Sequence, residues 1–404
     1  MKKNYIMGVI ACAALTMTSC SNDEIGGNNT KQGDPIEFGV YLGRDAQGSR
    51  GTIITTDNLT KFGVTAYYMN SDIPDIMYNQ AVIKNGNSWT YSPVKYWPTA
   101  EGDVISFYAY APYTENSNGL IVLSDNTDKN NGVPKATISL PIGTNADLTQ
   151  MVDFVADAKL HVGKTNGNGT SKAVEFQLHH EMTRIGLQAN VSENVFNSSD
   201  DNKANKTKVV IRSLKLNKGG EFYTTSTYTF PQLFTPNGKW SGSNGTADLD
   251  LQSILNWSTT WTINSTDIIS DSKKGIALEG KKATNLLKKY KNEQQYLFLI
   301  PSDNVDGNGK LVGLKANSTS ATITYDIITE DSNLEDGYSK TSATKTVYLP
   351  EGIMQQGKAY NLTFTIAVDQ VKLEAKTVAD WDTATNSDSG IDVPYTPDNA
   401  SVNP

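Results

Sequence analysis

Cysteine and histidine are nearly absent from this 404-residue chain, which holds two cysteines, Cys12 and Cys20, and three histidines, His161, His179 and His180. Both cysteines fall in the first twenty residues, so the body has no disulfide pair, no thiolate set for a metal and no thiol nucleophile. Three histidines leave little room for imidazole-dependent catalysis. Basic charge is also short: the formal balance is −8, which argues against nucleic acid or an anionic bilayer as the main partner. Hydrophobic residues reach only 38%, but aromatics reach 9%, a mixture that fits a folded, polar-surfaced protein better than a disordered one. The length suggests two domains.

What is present begins at the N-terminus. Lys2 and Lys3 precede an apolar run from Tyr5 to Leu15. That run suits a signal-peptide core and is shorter than the roughly 20 apolar residues that span a bilayer. Met17-Thr18-Ser19-Cys20 resembles a bacterial lipobox, so residues 1–19 are expected to be removed and Cys20 to be acylated. Each buried CH₂ of an acyl chain contributes about 0.8 kcal/mol, and two or three chains anchor a protein stably. Ser21, Asn22, Asp23 and Glu24 follow, either a surface-export signal or a plain solvated tether. Residues 20–35 are expected to form a flexible linker.

Beyond residue 35 the apolar period is two. Ile36, Phe38, Val40 and Leu42 alternate with Glu37, Gly39 and Tyr41. Phe62 to Tyr68 follow the same rule, and Val82 to Trp97 reads as a hairpin turning at Asn85-Gly86-Asn87. Val104 to Tyr113 is a nearly continuous apolar run, the pattern of a strand buried on both faces. Shorter strands are expected at 120–122, 136–140 and 152–155, and later ones at 208–216, 221–230, 296–300, 311–314, 321–328, 345–349 and 360–367. Asn308-Gly309 marks a further turn. One short helix is expected at 285–292, with Leu286, Leu287 and Tyr290 on one face. The Gly- and Asn-rich stretch 163–172 is placed as a domain boundary, giving units at 36–168 and 169–385 and a tail at 386–404. Tight turns between short strands argue for β-sandwiches, an all-β fold with little helix.

Familiar catalytic patterns are missing. Gly163-Lys164-Thr165 supplies half of a phosphate loop, but Ala158 stands where its first glycine belongs. His179 and His180 are neighbours on an expected strand, so their side chains face opposite ways and do not share an ion. Asn304, Asp306 and Asn308 partly mimic a calcium loop, but Lys315 occupies the place of its bidentate glutamate. No spacing singles out a carboxylate pair for glycoside hydrolysis. Trp89, Trp97, Trp240, Trp257, Trp261 and Trp381 are expected as core or hairpin residues rather than a sugar platform. The chain is therefore read as neither an enzyme nor a cofactor or metal binder.

Several stretches occur in a telling order behind the lipobox. They are Lys95-Tyr96-Trp97-Pro98, Ile105 to Pro112, Val152-Asp153-Phe154, Val174 to His180, Leu297 to Pro301, Gly357 to Tyr360 and Val378 to Trp381. Together they resemble the fimbrillin family, the structural subunits of type V pili. The resemblance implies two transthyretin-like β-sandwich domains and export as an outer-membrane lipoprotein. It also implies assembly by donor-strand exchange, in which an Arg-specific protease removes the first strand and a C-terminal strand of the next subunit fills the groove.

The matching parts are present. Ile36 to Leu42 would be the strand that is removed, and Gly43 to Gly51 the loop that is cut. Arg50-Gly51 is the first choice of bond, and Arg44-Asp45 the second because an acid after the bond slows trypsin-like cleavage. Ile391, Val393 and Tyr395 alternate after a polar linker and would form the donor strand, with Pro394 and Pro397 confining it to an edge or inserted position. Expected partners are other fimbrial subunits, the outer membrane through the lipid, and a host or bacterial surface ligand. The alternative is a surface lipoprotein that binds a glycan or a host protein and never polymerises.

Overall fold

The computed structural model describes residues 33–42, 54, 56–378 and 392–393, with interruptions at 116–118, 128–131, 142–150, 165–172, 193–205, 218–221, 235–236, 279, 291–292, 308–309 and 369. Among the described residues every regular element is a strand, so the fold is all-β. The chain runs through β1 (Phe38–Tyr41), β2 (Lys61–Tyr68), β3 (Met77–Asn85), β4 (Ser88–Thr90), β5 (Val104–Ala111), β6 (Ile121–Leu123) and β7 (Lys135–Ser139). It continues through β8 (Val155–Gly163), β9 (Val174–Gln177), β10 (His179–His180), β11 (Thr183–Val191), β12 (Thr207–Asn217), β13 (Tyr223–Thr229) and β14 (Lys239–Thr246).

A six-stranded antiparallel sheet in the order β10-β8-β5-β2-β3-β4 organises the first half. Its two faces serve two cores. From β5, Ile105, Phe107, Ala109 and Ala111 enter one cluster, while Tyr108 and Tyr110 enter the other. β2 divides in the same way, Phe62, Val64 and Ala66 against Tyr67. Alternating side chains point to opposite faces, so a strand covered on both sides must be apolar throughout. That is why the run from Val104 lacks polar alternation.

The first core is closed by β1 and β9, a parallel pair whose Phe38, Val174 and Phe176 meet Phe62 and Phe107 from the sheet. β9 follows the glycine-rich stretch at 163–172 in sequence, yet its side chains belong to this first core. In the reverse sense, β7 precedes that stretch and pairs with β13 beyond it, in a four-stranded sheet ordered β14-β13-β7-β6.

The second core is enclosed largely by two further sheets. One contains β12 beside the strands Ser320–Glu330 and Tyr338–Tyr348. The other sets β11 parallel to Ala359–Ile366, which pairs in turn with Val371–Val378. Leu187, Leu214, Ile323, Leu362 and Phe364 are buried in the resulting cluster. A satellite cluster forms where the hairpin Trp261–Ile263 and Thr266–Ile269 covers Val210 and Ile328.

The helix expected at 285–292 is not formed. Thr284–Asn285 pairs with β11, and Lys289–Tyr290 pairs with Glu293–Gln294. Between them the main chain bonds to Leu187 on one side and to Ile254 and Asn256 on the other, so both Leu286 and Leu287 are buried. A segment this short nucleates a helix poorly, and pairing on both sides wins. The strand expected at 311–314 is reduced to a bridge between Val305 and Leu311.

Candidate functional site

β1 is the element whose sequence and setting point to a role. Ile36, Phe38 and Leu42 are buried, and Val40 packs beside them. The Phe38 ring lies 5.3 Å from Tyr91, 5.8 Å from Phe107 and 5.9 Å from Phe176. The intervening side is crowded only by polar groups: a Cβ at Gly39 would fall 2.0 Å from the Glu175 carboxylate, while Tyr41 is exposed. Burying a large apolar side chain contributes about 1.5–3 kcal/mol, so Ile36, Phe38 and Leu42 together supply about 5–9 kcal/mol.

The main chain of β1 is held less fully than its side chains. It pairs with β9 over four residues. On its other side the bonds cluster before the strand begins. Ile36 N donates to Lys95 O at 2.9 Å, Trp97 N donates to Asp34 O at 2.9 Å, and the Tyr91 hydroxyl donates to Ile36 O at 2.8 Å.

After β1 the chain is clasped before and after residues 43–53. Leu42 N donates to Thr56 Oγ1 at 3.0 Å, and that hydroxyl donates to Leu42 O at 2.6 Å. Ile54 N donates to Asp153 Oδ2 at 2.7 Å. The other oxygen of Asp153 lies 2.9 Å from His180 Nδ1. Asp153 is buried, and a buried carboxylate needs such partners. Thr56, Tyr91 and Asp153 were not singled out as site residues. The signal at Asp153 was an acid set between Val152 and Phe154, where solvent is not expected.

Other expected site residues are placed only in part. Cys20, Arg44, Asp45, Arg50, Gly51, Ile391 and Tyr395 lie outside the described residues, as do Trp381 and the Asn308-Gly309 turn. Val393 sits in the strand Asp392–Val393, which pairs with the edge of Val371–Val378 opposite Ala375 and Lys376. His179 is exposed while His180 turns to Asp153, so the two imidazoles separate as the strand reading requires. Among the described residues no three potential metal ligands gather. Trp97 and Trp240 are buried, and Trp89 packs on Phe62. Lys164 pairs with Asp34 at 3.2 Å.

One further polar cluster borders the second core, beside Tyr228 and Trp240. Glu181 is buried beside Tyr228, and burial pushes its carboxyl up to about 8. Gln356 Nε2 donates to Glu181 Oε2 and to Gly238 O, and Trp240 Nε1 donates to Glu181 O at 2.9 Å. These bonds tie the turn between β10 and β11, β14 and the loop before Ala359–Ile366 together, which is a structural lock.

No protein-family model matches the chain. Over 407 aligned residues it is 26% identical to the fimbrium subunit Fim1C of Phocaeicola vulgatus, a match covering 95% of this chain and 98% of that protein. The crystal structure of a fimbrial protein from Bacteroides vulgatus superposes with a TM-score of 0.63 at 24% identity, covering 85% of this chain and 98% of that one. The resemblance to the fimbrillin family is borne out: the chain has a fimbrium subunit as a homologue along nearly its whole length, and it has the fold of a fimbrial protein.

Proposed function

We propose that this chain is a fimbrial subunit, structural or adhesive, that works at the cell surface together with other fimbrial subunits. Its homology to a fimbrium subunit supports the general role. The observation that carries the mechanism is β1, whose side chains fill a core while its main chain has one strand neighbour among the described residues. A segment held mainly by side-chain pockets can be exchanged for another apolar strand that fills the same pockets.

In this reading the precursor is exported with a signal peptide at 1–19 and anchored in the outer membrane through acylated Cys20. An Arg-specific protease then cuts in the loop 43–53, first at Arg50-Gly51 and alternatively at Arg44-Asp45. Loss of β1 uncovers Phe107, Phe176 and Tyr91. The tail carrying Ile391, Val393 and Tyr395 leaves the edge of Val371–Val378 and enters the vacated groove of a neighbouring copy or related subunit. Of the two sandwich units, the first would run from residue 36 through Leu178 rather than end at 168, since β9 completes its core.

The test is to treat the purified protein with an Arg-specific protease, read the new N-terminus and run an unboiled gel. A start at Gly51 or Asp45 with a ladder of oligomers is expected. A resistant N-terminus, or a cut chain that stays monomeric, would overturn the donor-strand mechanism. Cys20→Ala should abolish membrane retention, and unchanged fractionation would remove the lipid anchor from the account. Ile391 and Val393 both changed to Asp should stop polymer growth without unfolding the monomer.

A further inference from the structure

A second site lies on the first sheet, away from β1 and from the tail. Along the β5–β8 pair, Ile105 faces Val162 and Phe107 faces Lys159, so Ser106 opposes both Leu160 and His161. This is a β-bulge, a device that re-aims a side chain. His161 adopts φ of +49°, the left-handed region that non-glycine residues seldom occupy, and its N–H donates to Ser106 Oγ at 3.2 Å. Strain of this kind collects at functional sites.

The bulge borders a cavity of about 280 Å³. The end of β2 supplies Tyr67 and Met69, β5 supplies Ser106 and Tyr108, and the turn after β13 supplies Leu233 and Phe234. Phe234 is 90% exposed and Leu233 53% exposed. Single exposed apolar residues need no explanation, but here Phe234, Leu233 and the exposed Met69 line one cavity. Among the described residues its polar lining consists of hydroxyls, the amides of Asn70 and Gln232 and the imidazole of His161, with no acid, lysine or arginine.

An aromatic face, aliphatic walls and a rim of neutral donors and acceptors match a ligand that is apolar on one face and hydroxylated at its edge. The −8 balance of the chain disfavours an acidic ligand. The volume falls just under the roughly 300–1,000 Å³ typical of drug-sized ligands, which suits a mono- or disaccharide.

We propose that this cavity binds a neutral saccharide, with Phe234 stacking on the apolar face of a pyranose ring and His161, Asn70 and Gln232 bonding its hydroxyls. The site is separate from the assembly groove, since none of its described lining residues belongs to β1 or β9.

The test is saturation-transfer NMR on the purified full chain with the methyl glycosides of galactose, glucose, mannose and N-acetylglucosamine, and with lactose and chitobiose. Titration of any sugar that responds gives its affinity. Saturable binding of at least one sugar is expected, weakened about tenfold or more by Phe234→Ser and by His161→Gly, a loss of about 1.4 kcal/mol. Neither change should impair folding, because the ring of Phe234 is exposed and glycine suits a left-handed backbone. No saturable signal from any of the six probes would overturn the proposal, as would wild-type affinity in either variant. Loss on removing Phe234 alone would leave stacking as the contact and overturn the hydrogen bonding assigned to His161.

Discussion

β1 and the strand Ala359–Ile366 carry the same alternating pattern and are held in different ways. In β1 the apolar positions are sealed in the first core, but the ladder is four residues long and one-sided. Ala359–Ile366 buries Leu362, Phe364 and Ile366 and pairs along eight residues on each side, with β11 and with Val371–Val378. Side-chain burial is non-directional and transferable to any strand that fits the pockets. A two-sided ladder is tied to both neighbours and cannot be vacated without breaking the sheet. Among the described residues the first core is therefore closed by a strand held mainly through its side chains, and the second is not.

The sharpest way to break this comparison is to remove β1. After cleavage in the loop 43–53 and release of the N-terminal piece in mild denaturant, the first core should lose about 5–9 kcal/mol, the burial of Ile36, Phe38 and Leu42. Calorimetry should then show two transitions in place of one. A synthetic peptide covering residues 34–43 should restore the single transition. A cut and stripped chain that melts like the intact protein would mean that β1 is not what closes the first core.

Phe364→Ala is the matching test in the second region. Its cost should be about 3–5 kcal/mol, the usual range for deleting a buried ring, read as a lower urea midpoint. No added peptide should rescue it, because the strand itself is still in place.

Much of this contrast was legible in the residues. The alternation Ile36, Phe38, Val40, Leu42 gave β1, and the unbroken apolar run at Val104 gave a strand covered on both faces. The strand Val371–Val378 alternates as cleanly, yet the expected strands stop at 360–367 and leave it out. β14, by contrast, reads KWSGSNGT and buries only Trp240, so no hydrophobic period announces it. The placement of β9 was hidden because partner choice across 136 positions leaves no local trace. The clasp around Asp153 was hidden for the same reason: its partners Ile54 and His180 stand 99 and 27 positions away.

Glu181 sits where the first sheet passes into β11, accepting from Gln356 through its carboxylate and from Trp240 through its main-chain carbonyl. Its carboxyl ordinarily titrates near 4.5 and is raised to about 8 by burial, so the folded chain keeps a proton that the unfolded chain gives up. This contribution is fully present below pH 4.5 and is lost as pH rises towards 8. Between pH 4.5 and pH 7 the loss should be about 3 kcal/mol, at 1.36 kcal/mol per unit. Glu181→Gln keeps the shape and removes the titration. Urea unfolding at pH 5, 6, 7 and 8 should show a flatter pH dependence in the variant, and an unchanged slope would place the titrating group elsewhere.

The smallest expected effect concerns the clasp at the end of β1. Thr56→Val removes the hydroxyl that both accepts from Leu42 N and donates to Leu42 O. A typical net hydrogen bond contributes about 0.5–1.5 kcal/mol, so losing the two should make local opening after β1 easier by at least about 1 kcal/mol. Cleavage that follows a fast local opening tracks its equilibrium, and 1 kcal/mol corresponds to about a fivefold change. The loop 43–53 should therefore be cut at least about five times faster by an Arg-specific protease, while the urea midpoint of the second core stays where it was. A control such as Thr363→Val, on the doubly paired strand, should leave the cutting rate unchanged. Equal acceleration by both variants would mean that cleavage waits on global unfolding, and the distinction between a removable strand and a fixed one would fail.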